Sequence, residues 1–229
     1  MTFKGHIKII SLDLDDTLWD NQIVIDRAKN KLYEKILENY PNVAHFFDFY
    51  SFEQLAHQLY QEDTFKCNWS ALRLVHITEI LKKSGYSTEH ALALSDYYYF
   101  WRNRVDLFPG VEQVLSYLAS RYQLISLTNG NASINEIGIG QYFQFSICAA
   151  DVGEKKPSAR LYKEVLNKTG VKAEQIVHIG NHIIEDVQAA LASGMQAIWF
   201  NPEHESVPED ITEQTFLQIE RIEQLMDIL

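Results

Sequence analysis

Residues 7–20 read IKIISLDLDDTLWD. Ile7, Ile9, Ile10 and Leu12 form a short apolar, β-branched run that stops at three acids, Asp13, Asp15 and Asp16. A run of this length and composition is that of a buried strand. Alternation along a strand lets Asp13 and Asp15 project to the same side. Like charges so close repel, and one pKa tends to rise. The pair therefore implies an offsetting cation or a chemical use.

Outward from this strand, residues 21–40 carry Ile23, Ala28, Leu32, Ile36 and Leu37 at roughly helical spacing, and Pro41 ends the helix. Residues 42–106 stay helical in pattern, near 51–61, 69–83 and 88–104. Asp63-Thr64 and Ser84-Gly85 separate these segments, and Ser87 is an N-cap candidate. Phe108-Pro109-Gly110 then opens a helix to about Arg121. Strands are predicted at Gln123–Thr128, Gln144–Ala149, Gln175–Gly180 and Met195–Phe200. Helices are predicted at Ser158–Lys168 and Asn181–Ser193, and an amphipathic helix from about Glu213. Alternating helices and strands imply an α/β, doubly wound parallel sheet covered on both faces. In this reading 1–20 and 106–229 form the α/β core, and 21–105 is a helical cap domain inserted after the first strand.

Composition narrows the partners. The chain has 229 residues and a formal net charge of −11. That argues against nucleic acid or an anionic membrane as partner. Cys67 and Cys148 lie far apart in sequence, so a disulfide framework is not expected. No apolar run approaches the roughly 20 residues of a membrane span, and MTFKGHIKII has no signal-peptide pattern. A cytoplasmic monomer or weak dimer acting on a small phosphorylated metabolite is the expectation.

In an open parallel sheet, ligands bind at the carboxyl ends of the strands. That rule gathers Asp13, Thr128, Lys156 and Asn181 at one site. Asp13 is a candidate carboxylate nucleophile. Asp15 is placed to protonate a leaving oxygen and then activate water. Thr128 offers a hydroxyl, Asn129 an amide and Lys156 a point charge to a phosphoryl group. Asp186 can help hold a hard divalent cation, most plausibly Mg²⁺.

The order of these motifs resembles the haloacid-dehalogenase (HAD) superfamily, in particular its capped Mg²⁺-dependent phosphatases. The motif DxDxT corresponds to Asp13-Leu14-Asp15-Asp16-Thr17, a strand-end Thr to Thr128, Lys-Pro to Lys156-Pro157, and the last, in part, to Gly180-Asn181 through Asp186. The resemblance implies a Rossmann-like core, with Asp13 as nucleophile, Asp15 as acid/base, and Thr128 and Lys156 on the phosphate. It also implies Mg²⁺ held by Asp13, the Asp15 carbonyl and the fourth motif, where Asn181 stands in place of the usual acid. The WDN and TNGN sequences are similar to those of bacterial phosphatases for flavin mononucleotide and other nucleotides.

The aromatics of residues 42–106 are core by default. Trp69, Arg73, Trp101, Arg102 and Arg104 are the substrate-recognition candidates there, since rings stack on rings and Arg takes a second anion. His45, His57, His76, His90 and His178 show no metal spacing and read as ordinary. Two rivals stand beside the phosphatase: a metal-independent 2-haloacid dehalogenase, against which Asp15 argues, and a weakened homologue that binds a phosphorylated ligand.

Overall fold

A computed structural model describes residue 3 and residues 6–62, 65–209 and 216–229. The expected break at Asp63-Thr64 lies outside the described residues. The chain divides into two compact units, Met1–Asp20 with Asp106–Leu229, and Asn21–Val105.

The first unit begins with β1 (Ile9–Leu12). The chain then runs through the second unit as α1 (Asn21–Asn39), α2 (Phe49–Tyr60), α3 (Trp69–Lys83) and α4 (Ala91–Arg102). Back in the first unit come α5 (Val111–Ala119), β2 (Gln123–Thr128), α6 (Ile134–Ile137), β3 (Phe143–Cys148), α7 (Ala149–Val152) and α8 (Ala159–Thr169). They are followed by β4 (Ile176–Gly180), α9 (Ala189–Ala192), β5 (Gln196–Phe200), β6 (Leu217–Ile219) and α10 (Leu225–Ile228).

Within the second unit, Val24, Ala28, Leu32 and Ile36 form the inner stripe of α1 at four-residue spacing. Ile23, which the periodicity placed on that face, is exposed. Ala28, Leu32 and Ile36 of this stripe pack with Phe52, Ile77, Ile80, Leu81 and Leu94. Side-chain caps start two of the helices: Asp48 accepts from Ser51 N at 2.8 Å, and Asn68 from Ala71 N at 2.9 Å.

The first unit is built on a six-stranded sheet in the order β3-β2-β1-β4-β5-β6, parallel throughout. Strand order reverses at β1, which lies between β2 and β4. Leu12 pairs with Ser126 on one side and Ile179 on the other. Asp13 extends that line, its N–H donating to Ile179 O at 2.8 Å. The register thus brings the ends of β1, β2 and β4 to one edge of the sheet. Ile9, Ile125, Leu127, Ile147, Leu161, Val165 and Trp199 fill the core beneath.

Two sequence expectations are corrected here. Part of the expected tail helix, through residue 215, lies outside the described residues. Beyond it, Leu217–Ile219 is a strand paired with β5, and helix returns as a 3-10 turn at Ile222–Gln224 that leads into α10. The outer edge of β5 offers backbone groups that need partners, and three residues are too few to show a period. The helix expected over Asn181–Ser193 instead begins with a π-helical stretch, Ile183–Gln188, before α9. Its start is capped by His182, whose Nδ1 accepts from Ile184 N and Glu185 N, each at 3.2 Å. Wide turns of this kind recur at functional sites. Among the described residues no helix is long and apolar enough to cross a membrane.

Candidate active site

Lys156 is the hub of the strand-end site. Its ammonium lies 2.7 Å from Asp13 Oδ1 and 2.6 Å from Asp186 Oδ1, and all three side chains are buried. One cation between two carboxylates leaves the group one negative charge in excess. Burial pushes the Asp13 carboxyl up to about 8, against the opposing pull of Lys156 and with a further push from Asp186. Burial works against the Lys156 ammonium too, but the two carboxylates outweigh it and hold its pKa above the ordinary lysine range. Burial would likewise raise Asp186; Lys156 and His178 overcome it and hold that carboxyl below the usual carboxylate range.

Asp186, expected from the sequence to help hold a metal, has both carboxylate oxygens in hydrogen bonds with protein groups. Oδ1 meets Lys156 and, at 3.1 Å, His178 Nε2. Oδ2 accepts from His182 N at 2.9 Å. With both oxygens engaged, Asp186 is an anchor for Lys156. It also lies tight against β4: a Cβ added at Gly180 would fall 2.7 Å from the Asp186 Cβ, so glycine is required there.

His178, read from sequence as ordinary, is part of this anchor. Burial lowers its pKa, which keeps the ring neutral. A carboxylate only accepts, so Nε2 carries the proton toward Asp186, and Nδ1 accepts from the Ser11 hydroxyl at 2.9 Å. Ser11 and His178 are register partners on β1 and β4. Their sequence separation is what hid the pairing.

Asn129, expected from the sequence to offer its side-chain amide to a phosphoryl group, has that amide in hydrogen bonds with protein groups. Its Oδ1 accepts from Lys156 N at 2.6 Å, and its Nδ2 donates to Lys156 O at 3.1 Å and to Glu185 Oε2 at 2.9 Å. The amide is a clamp that fixes the Lys156 backbone to the end of β2. Thr128 Oγ1 accepts from Gly130 N at 2.9 Å, which orients the hydroxyl at the same strand end.

Beyond β1 the chain curls. Asp16 takes a left-handed conformation, φ 57°, which Asp tolerates better than most residues. Trp19 Nε1 then donates to Asp15 Oδ1 at 3.0 Å. Buried Thr17 donates to Asn181 Oδ1 at 3.2 Å, while Trp199 Nε1 donates to Asn181 O at 2.8 Å. Asn181 is thereby held from the turn beyond β1 and from β5.

Among the described residues no group of three or more His, Cys, Asp or Glu is placed to hold a metal ion. The oxygens of Asp13, the Asp15 carbonyl and the Asn181 amide are nevertheless hard donors suited to Mg²⁺. The excess negative charge at buried Asp13 is what a cation would offset.

The recognition candidates fall in the second unit. Trp69 stacks on Tyr60, with ring centroids 4.6 Å apart. Arg73 is buried, meeting His76 Nδ1 at 3.1 Å and lying 4.3 Å from the Tyr98 ring centroid. Arg102 is buried, and Arg104 lies over Phe100. Arg73 has an interior role that its helical spacing did not reveal.

Comparison with known proteins places this geometry. The sequence profile of the haloacid dehalogenase-like hydrolases matches residues 7–194, and the chain belongs to that family of enzymes. It is 31% identical over 205 residues to the 5-amino-6-(5-phospho-D-ribitylamino)uracil phosphatase YigB of Escherichia coli (strain K12), covering 87% of this chain and 86% of the relative. A solved 2-haloacid dehalogenase from Pseudomonas syringae pv. Tomato DC3000 is 33% identical, with a TM-score of 0.87 over 97% of each chain. The magnesium-bound putative HAD-hydrolase YfnB of Bacillus subtilis shares the fold, with a TM-score of 0.67 at 22% identity, over 98% of this chain and 99% of that one.

Proposed function

We propose that this enzyme is a phosphoric monoester hydrolase working through an aspartyl-phosphate on Asp13. The observation that carries the reading is the buried Asp13–Lys156–Asp186 group, with a second carboxyl, Asp15, two residues further along the strand end. In the first step Asp13 attacks phosphorus, the bond from phosphorus to the leaving oxygen breaks, and Asp15 gives that oxygen its proton. In the second step the Asp15 carboxylate takes a proton from water, which attacks phosphorus and returns Asp13 to its free form.

Two ammonium protons of Lys156 serve Asp13 and Asp186, and the third is available to a phosphoryl oxygen. Thr128, accepting from Gly130, retains its own proton for the same anion. Mg²⁺ would be held by Asp13, the Asp15 carbonyl and Asn181, and when bound it supplies the positive charge that keeps Asp13 ionised. The substrate class we favour is a small phosphorylated metabolite carrying a planar ring, in line with the phosphatase relative. The helical unit 21–105 serves as the cap that selects it, with Trp69, Arg102 and Arg104 as the residues to test. We place the enzyme in the cytoplasm as a monomer or weak dimer.

The similarity to the Pseudomonas dehalogenase supports a second reading, in which Asp13 displaces halide from a 2-haloacid. One assay separates them. Phosphate release from 4-nitrophenyl phosphate and from a panel of phosphorylated metabolites is measured with and without Mg²⁺, beside halide release from 2-chloropropionate. Mg²⁺-dependent phosphate release, abolished in Asp13→Asn, is the expected result. Metal-independent halide release without phosphate release would replace the phosphatase reading.

A further inference from the structure

We propose that Trp19 is a positioning residue for Asp15, holding its carboxyl in the orientation that hands a proton to the leaving group. The inference rests on the phosphatase reading and deepens it.

The indole is fully buried and is held by backbone links around it. Asp16 N donates to Trp19 O at 2.9 Å, and Phe108 N donates to Leu18 O at 2.9 Å. Trp19 also forms isolated bridges with Asp15 and with Leu107. The left-handed turn at Asp16 folds position 19 back against position 15, so Nε1 reaches Asp15 Oδ1 at 3.0 Å. The geometry is therefore rigid on the donor side.

An indole N–H donates and cannot accept. Asp15 Oδ1 is therefore the acceptor, and the contact holds in place the carboxyl that carries the transferable proton. As the bond from phosphorus to the leaving oxygen breaks, that proton moves to the leaving oxygen and negative charge grows on Asp15. A hydrogen bond to a carboxylate is stronger than one to a neutral acid. The Trp19 contact thus tightens on the way to the transition state, which raises kcat and leaves KM alone. The bland alternative is that a buried indole simply needs an acceptor, and such a role is indifferent to the leaving group.

Trp19→Phe keeps the ring and removes the donor. On an alkyl phosphate, whose leaving oxygen needs its proton, kcat falls roughly tenfold with KM unchanged, a fraction of what general acid catalysis supplies. On 4-nitrophenyl phosphate, whose leaving group departs unprotonated, the loss stays under roughly twofold. In an Asp15→Asn background, Trp19→Phe adds no further loss. Equal losses on both esters, or a loss that persists without Asp15, overturn the proposal. Trp199→Phe removes the other buried indole, which donates to Asn181 O, and lowers both rates alike. A leaving-group preference there would mean general loosening and would equally overturn it.

A readout independent of activity covers a variant that fails to fold. The chain has four tryptophans. The Trp19 indole ¹H–¹⁵N signal moves upfield in Asp15→Ala if the bond exists, and an unmoved signal refutes the contact. Wild type that releases no phosphate from either ester overturns the phosphatase reading, a failure distinct from that of the indole signal.

Discussion

The Lys156 ammonium lies 2.6 Å from Asp186 Oδ1, so the acid beyond β4 fastens the lysine that serves Asp13. Removing the cation exposes two buried carboxylates to each other. Lys156→Met is expected to cost about 3–5 kcal/mol of stability at pH 8, the usual result of breaking a buried ion pair from one side. The loss shrinks at pH 6, where Asp13 can take a proton. Urea denaturation at the two pH values checks this.

Asp13 gives a pH dependence of its own. Its carboxyl is raised from 3.8 to about 8 by burial, so between those values the folded protein binds the extra proton. Stability from this group is present below pH 4 and is lost as pH rises toward 8, by at most about 1.4 kcal/mol per unit. Asp13→Asn should remove that slope. Thermal melts of both proteins in chelator across pH 5–8 (roughly the window of the shift) give the difference, and parallel curves would count against the burial argument.

His76 runs the other way, and in the helical unit. Burial and then Arg73 lower its pKa from 6.5 to about 3. The neutral ring donates from Nε2 to Phe52 O at 2.8 Å and accepts at Nδ1 from Arg73 at 3.1 Å. The unfolded chain therefore binds a proton that the folded chain refuses. Stability is present above pH 6.5 and is lost as pH falls through the window down to about 3, again with a limiting slope of about 1.4 kcal/mol per unit. His76→Gln should be less stable at pH 7 but flatter with pH, as followed by circular dichroism.

Asn129 offers a test of the clamp. Asn129→Ala removes two hydrogen bonds to the Lys156 backbone and one to Glu185 and is expected to cost about 1–3 kcal/mol with a drop in kcat. Asn129→Asp keeps the acceptor for Lys156 N but sets a carboxylate against Glu185, so it should be no better than Ala at pH 7. Stability equal to wild type in either variant contradicts the clamp.

In the proposed Mg²⁺ site, Asn181 brings an oxygen without a charge. Asn181→Asp supplies a charge where the amide now sits, and Mg²⁺ affinity should rise about tenfold, or about 1.4 kcal/mol. Isothermal titration with Mg²⁺ reads this without reference to turnover. Tighter binding in the native protein than in the variant would show that another group holds the metal.

Legibility in the sequence tracked distance along the chain. Asp13 and Thr128 were readable because each ends an apolar run, and the strand-end rule then brought Lys156 to them. The strand and helix alternation was readable for the same reason. What stayed hidden passes through space. Nothing local in VHIG marks His178 as the partner of Ser11 and Asp186, and nothing in TNGN says that Asn129 turns to a backbone 27 residues away. An acid after a strand serves a metal or a lysine equally well on paper, and only the structure shows Asp186 2.6 Å from the Lys156 ammonium. The three residues of β6 are recognisable as a strand only once β5 is beside them.

The ribbon formed by Leu18 and Trp19 with Leu107 and Phe108 makes the points where the chain leaves and re-enters the α/β unit neighbours. The eighty-five residues between Asn21 and Val105 hang from a junction that a short turn could bridge. Such a junction is a natural seam for recombination: one insert can be exchanged for another without breaking a strand of the sheet. Transplanting this segment into a relative cut at the same ribbon would show how far substrate choice travels with it.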